Sequence, residues 1–402
     1  MQCSGMKSGI ILNLKTDDLT HSVRRNDPAG GCSTKKLLIP LMMLLGMLSF
    51  FVSCSESQPE QVHGMWFRPP DNAGELLESL EKMRDMKINT VFIETYYHSW
   101  SIYPGEKSIQ RPEFLGWDPL KMTLDFAREH NMEVHAWIEV FYAFNPHYLD
   151  GTLGPVLTRH PDWMLKSNNP DDHTAEDGKL FLNPAHPGVQ DYLMDMMKEL
   201  VETYDVDGVH LDYIRYPVHT EVKKFGYGAY SKNRFADDMG YPDTVFLLGN
   251  PDVQKDFADW KKLIVTRFVR RVTDELKEVD KDIQLSAAIF PSYATDPQSL
   301  QKFQDWASWV KGDMLDFITP MCYAPNPEKR RQEIRESLEI SNVPVVVGLA
   351  INRVKSSRDV EMLIQDGLTK GSSGIAWFAY NWRTPVFTET VTKRFGREQD
   401  ED

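Results

Sequence analysis

Short strand-like runs and amphipathic helical stretches alternate from residue 62 almost to the end of the chain. That alternation limits the fold more than any other feature. Runs rich in β-branched and aromatic residues cover 62–68, 89–96, 133–140, 208–214, 284–291, 316–323, 343–350 and 374–381. Between them, 75–86, 119–130, 187–204, 253–279, 299–310, 328–340 and 357–369 carry apolar residues at helical spacing, as Leu193, Met196, Met197, Leu200 and Val201 do. Parallel strands need such crossovers, so eight strands alternating with helices predict an α/β fold, a (β/α)8 TIM barrel over 62–390. The competing architecture is a doubly wound open sheet, but the GxGxxG turn it often carries is absent.

Two connections exceed simple loops. One follows the third strand (141–185) and one the fourth (215 to about 252). Loops of this length are usually functional or disordered. In a barrel both fall on the C-terminal face, where catalytic residues gather. Trp163 and His173 in the first, and Tyr227, Tyr230, Arg234 and Tyr241 in the second, are expected to build cleft walls.

The balance of 45 basic and 59 acidic residues gives a net charge of −14 and argues against a nucleic-acid partner, which needs a basic face. No CxxC or HExxH pattern suggests a metal, and no cofactor is expected. Of four cysteines only Cys322 lies in the body of the chain, so no internal disulfide is expected there.

Lys35 and Lys36 precede an uncharged apolar run, 37–52, which ends at Ser53-Cys54 before a polar stretch. It reads as a signal segment, removed at 53. Small residues before a cysteine resemble a bacterial lipobox, so Cys54 is expected to carry lipid. Residues 54–61 then form a short linker and 391–402 a polar tail. The expected location is the cell envelope, anchored to a membrane by that lipid.

The chemistry is expected at strand ends. Strand side chains alternate, so one parity faces the barrel interior. His135, Trp137 and Glu139 share a face on the third strand, Gly208, His210 and Asp212 on the fourth, and Phe92, Glu94 and Tyr96 on the second. Barrel interiors are mostly branched and apolar, and burying carboxylates is costly unless they are paired or used. Salt bridges to Arg68 or Arg215 are the structural alternative. Three strand-end carboxylates together favour a site for glycoside hydrolysis, in which one carboxyl protonates the leaving oxygen and another stabilises or attacks the sugar cation.

Several stretches resemble glycosyl-hydrolase-like family 10. They are Asp207-Gly208-Val209-His210-Leu211-Asp212-Tyr213-Ile214-Arg215-Tyr216-Pro217, Val134-His135-Ala136-Trp137, His160-Pro161-Asp162-Trp163, Leu182-Asn183-Pro184, Asp259-Trp260-Lys261-Lys262, Thr319-Pro320-Met321-Cys322-Tyr323 and Gly374-Ile375-Ala376-Trp377. The resemblance implies a barrel hydrolase of bacterial envelopes or glycans, with cell-wall polysaccharide among its substrates. The family often has Asn-Pro after His-Ala-Trp, whereas Ile138-Glu139 follows here. The fourth strand also resembles that of family-18 chitinases, with Ile214 where their catalytic glutamate stands. That second likeness implies an N-acetyl contact for Tyr323 and a sugar platform for Trp377.

Two readings follow. In the first, an anchored glycoside hydrolase uses Asp212 as nucleophile or charge stabiliser and Glu139 as general acid, with Glu94 the alternative acid. Arg68, His135, Trp137, His210, Arg215, Tyr323, Trp377 and Asn381 are then the expected substrate-binding set. In the second, the barrel is a surface glycan-binding lipoprotein that has lost its acid.

Overall fold

The computed structural model describes residues 61–146, 153–242, 244–292 and 302–396. The apolar leader, Cys54 and the end of the expected tail lie outside them. Eight parallel strands are present: β1 Val62–Phe67, β2 Thr90–Tyr97, β3 Glu133–Glu139, β4 Gly208–Asp212, β5 Gln284–Ile289, β6 Phe317–Pro320, β7 Val346–Ala350 and β8 Gly374–Phe378. Their hydrogen-bonded order is β7-β8-β1-β2-β3-β4-β5-β6. Bridges from Ile318 to Val345 and from Met321 to Gly348 join β6 to β7, so the sheet comes round to a nearly closed barrel.

The flanking helices are α1 Ala73–Asp85, α2 Pro119–Glu129, α3 Pro187–Thr203, α4 Pro251–Val279, α5 Trp306–Lys311, α6 Pro327–Ile340, α7 Ser357–Gly367 and α8 Pro385–Gly396. Their starts are written locally. Proline, which has no N–H to leave unsatisfied, opens α2, α3, α4, α6 and α8. Asn72, Asp118, Asn250 and Asn326 cap the first turns of α1, α2, α4 and α6. Helix α8 crosses the boundary expected at 390, because Val391 is buried against the barrel.

The expected interior parity holds on β3 and β4. Trp66, Phe92, Trp137, Phe317, Val346 and Ala376 pack together inside the barrel, with His210 against Phe92 and Trp66. Gly208 is needed beneath them: a Cβ there would sit 2.2 Å from Nδ1 of His135. Strand β2 breaks its own alternation. Its pairing with β3 slips between Glu94 and Tyr96, so Glu94 points inward while Tyr96 packs outward against Tyr192 of α3.

The loop after β4 contains a helix, Ala229–Met239, and forms a satellite core with α4 through Phe235, Val245, Val253, Phe257, Trp260 and Ile264. Tyr227 and Tyr241 donate to Gln254 and Asp256 of α4, and Arg234 donates to the Ala185 carbonyl. In the first loop, Trp163 stacks on His160. Tyr227, Tyr241 and Arg234 thereby tie the second loop to α4 and to the segment before α3.

His63 of β1 faces the helical layer. Its Nδ1 lies 2.8 Å from the Lys87 carbonyl, and its Nε2 is 2.8 Å from Nε1 of Trp377. The ring stacks on Phe395 of α8 with centroids 3.9 Å apart. Both contacts suit a neutral ring with the proton on Nδ1. Burial, partly opposed by the Lys87 carbonyl, lowers its pKa from 6.5 to about 4. The unfolded chain therefore takes up this proton first on acidification. Full stability is present above about pH 6.5 and is lost as pH falls toward 4, the His63 share reaching about 3 kcal/mol. Denaturant titrations across that window should show His63→Gln flattening the slope; an unchanged slope would remove His63 from the account.

Candidate active site

Glu139 and Asp212 end β3 and β4 and are register partners across the two parallel strands. Glu94 reaches the same mouth from β2. It is almost fully buried, as is Glu139, whereas Asp212 is half-buried. Arg68, just past β1, lies over them. Its Nε is 2.8 and 2.9 Å from the two oxygens of Glu94, and its Nη2 is 3.8 Å from Glu139 Oε1. The guanidinium lies 5.0 Å from the Trp137 ring centroid, and the side chain remains 37% exposed.

Three carboxyl groups thus meet under Arg68, with the charge of Arg111 also reaching Glu94 and that of Arg215 reaching Asp212. Glu94 has Arg68 on both oxygens. Glu139 is farther from Arg68 and feels both Glu94 and Asp212. Burial first, then the charge of Glu94, holds the Glu139 carboxyl well above the usual range. A side-chain hydrogen bond joins Glu139 to Glu94. Burial raises the Glu94 carboxyl too, against the charge and hydrogen bonds of Arg68, so of this pair Glu139 is the one held further toward its protonated form.

Asp212 is held from two sides. Tyr213 N–H donates to Oδ1 at 2.6 Å and Trp137 Nε1 donates to Oδ2 at 3.2 Å. Burial raises its pKa, against the Tyr213 N–H, Arg215, Trp137 and Arg68. Tyr213 itself has a positive φ of 48°, rare for a bulky side chain, in the turn where that N–H meets the carboxylate.

The other expected residues divide sharply. Trp137 is fully buried and reaches Asp212, so it positions that carboxylate. Tyr323 is half-buried and stacks on Phe378, with centroids 5.4 Å apart. Asn381 exchanges hydrogen bonds with the Arg68 backbone. Arg215 pairs with Glu176 at 2.9 Å, fastening the first long loop to the rim. His210 lies in the barrel centre, 2.8 Å from Ser286 Oγ, and burial keeps it neutral. His135 is deeper, beside a cavity at the N-terminal end of the strands. Neither histidine reaches the carboxylates of the mouth as expected, because inward parity also serves the lower layers. Trp377 is overturned as a platform: it faces the helices, edge-on to Phe387, and donates to His63. Ile214, where a chitinase acid would stand, is buried in the core.

Two side chains at the mouth were not anticipated. His98 places Nε2 3.7 Å from Glu139 Oε2, from a turn in which His98 and Ser99 both have positive φ. Phe378, one residue beyond Trp377, is the aromatic that faces the site, 5.8 Å from the Arg68 guanidinium. Alternation along β8 gives the signal for Phe378, and the polar-aromatic Tyr97-His98-Ser99 after β2 gives it for His98. Among the described residues, no group of three or more His, Cys, Asp or Glu side chains is placed to hold a metal.

A (β/α)8 barrel with buried acidic groups converging at the C-terminal strand ends defines a glycoside-hydrolase-like protein. The model of the family described as Glycosyl hydrolase-like 10 matches residues 64–365, and the chain belongs to that family. The glycosyl hydrolase DigH of Escherichia coli (strain K12) is 24% identical over an alignment of 288 residues that covers 62% of this chain and 58% of DigH. The glycosyl hydrolase YngK of Bacillus subtilis (strain 168) is 22% identical over an alignment of 278 residues that covers 62% of this chain and 48% of YngK. The chain thus spans about half the length of these relatives. The catalytic domain of β-amylase from Paenibacillus polymyxa has the same fold, with a TM-score of 0.59 at 12% identity, over 85% of this chain and 100% of that one.

Proposed function

We propose that the protein is a glycoside hydrolase acting on a polysaccharide, with Glu139 as general acid and Asp212 as nucleophile. The observation that carries this reading is the register pairing of Glu139 with Asp212, with Glu94 neutralised by Arg68. It supports a division of labour: one carboxyl keeps its proton and its neighbour is supplied with donors that favour the charged form. Adjacent parallel strands lie about 4.8 Å apart. That spacing favours the ≈ 5–5.5 Å carboxyl separation of a retaining enzyme over the roughly 6.5–9.5 Å of an inverting one. Asp212 attacks the anomeric carbon while Glu139 protonates the departing oxygen. Water, deprotonated by Glu139, then releases the sugar with its original configuration.

Peptidoglycan glycan strands are the substrate we place first, with the enzyme lipid-anchored through Cys54 on the envelope. The decisive experiment incubates the purified barrel with peptidoglycan strands and an array of other glycans, read by mass spectrometry for new reducing ends and by NMR for their anomeric form. Retained products on one glycan class are expected. Binding without any new reducing end would instead make the protein a glycan-binding lipoprotein. For the anchor, Cys54→Ala should abolish incorporation of labelled fatty acid in cells; normal incorporation would defeat the lipobox reading.

A further inference from the structure

Trp382 is 41% exposed, although tryptophan is among the most apolar side chains and most of the chain's others are buried. Its mount is firm. It closes a short 3-10 turn, Tyr380–Trp382, with its N–H bonded to the Ala379 carbonyl. The neighbouring Asn381 is tied to the Arg68 backbone. Its ring meets Phe378 edge-on at 5.0 Å. Phe378 stacks on Tyr323 at an interplanar angle of 23° and meets Trp137 edge-on at 6.1 Å. Trp137 in turn donates to Asp212. Aromatic surface therefore runs from the carboxylates outward through Phe378 to a solvent-facing indole.

A firmly mounted, exposed aromatic ring beside a polar cleft is costly in water and suits an apolar ligand face. Pyranose rings offer such a face where their axial C–H bonds cluster, with hydroxyl groups around the edge. We propose that Trp382 is the platform of an outer sugar subsite, stacking on a pyranose beyond the one that reacts, so that the cleft takes an extended glycan chain. This rests on the hydrolase reading of the same cleft and adds to it a requirement for chain length. The expected site residue Trp377 cannot fill this role from the helical layer.

The test separates the subsite from catalysis. Full-length protein carrying Asp212→Asn is run in native gels containing soluble peptidoglycan strands, glycol chitin or hydroxyethyl cellulose, with and without Trp382→Ala or Trp382→Tyr. Trp382→Ala should weaken retention about tenfold on the glycan that retains the parent, while Trp382→Tyr, which keeps a ring, recovers most of it. Melting temperatures of the variants control for folding. Equal retention by Trp382→Ala and its parent overturns the subsite, as does a parent retained by none of the three glycans. If the wild-type protein cleaves nothing but Trp382→Ala still loses retention, the hydrolase reading falls and the subsite stands.

Discussion

Asp212→Asn is expected to lower kcat on the true glycan about a hundredfold or more, on the order of 3 kcal/mol of barrier, with substrate binding largely retained. The charge that stabilises or captures the sugar cation is lost while the shape remains. The variant should also show a modest loss of stability. Asp212 accepts from Tyr213 N–H on one oxygen and from Trp137 Nε1 on the other. Asparagine offers a single acceptor, so one of these donors faces an amide NH2, at about 1–3 kcal/mol for a buried unsatisfied group. Full activity in Asp212→Asn would remove it from the chemistry whatever its stability.

Glu139→Gln should show the second large effect, and its signature is selectivity. Natural glycans need a proton on the leaving oxygen, so their turnover should vanish. Activated aryl glycosides, whose leaving groups depart unprotonated, should be far less affected. Activity requires a charged Asp212 and a protonated Glu139. It therefore rises with pH as Asp212 ionises and falls as Glu139 loses its proton. Because Glu139 is pushed well above the ordinary carboxyl range, the alkaline limb should lie well above pH 4.5. Glu94→Gln frees Arg68 to act on Glu139, which stabilises the charged form and should move that limb to lower pH. If Glu139→Gln is fully active on natural glycans and Glu94→Gln is dead, the acid is Glu94. If both are active, the two-carboxylate mechanism is wrong.

The barrel and its three strand-end carboxylates were legible because both depend on short-range pattern. A period of two gives strand direction, helical spacing gives the crossovers, and a carboxylate at the last inward position is unusual enough to notice. Parity says which way a side chain points, however, and not how deep it lies. His135, Trp137 and Glu139 share a face, yet they occupy successive levels of the barrel: Glu139 and the indole N–H of Trp137 reach the mouth, whereas His135 stays below. The same limit explains His210. Trp377 and Phe378 show the opposite failure: the bulky residue drew the expectation, although Gly374, Ala376 and Phe378 form the inward row. The packing of the second loop was not legible, because its small core against α4 joins residues far apart in the chain, such as Phe235 and Phe257. The salt bridge raised as the structural alternative is present between Arg68 and Glu94, but which acid Arg68 would take depended on a three-dimensional distance.

The slip in β2 has a consequence for how this site can change over time. A regularly pleated strand links every position to every other, so moving one side chain turns all that follow. The irregularity between Glu94 and Tyr96 uncouples the strand's tip from its body. Beyond it the chain turns straight back, Tyr97 opposite Trp100 and Tyr96 opposite Ser101, so the buried His98–Ser99 turn is set by this hairpin and not by the pleat that seats Phe92. An exchange at His98 should therefore be felt at Glu139 while the register of β2 with β3 below Glu94 is kept.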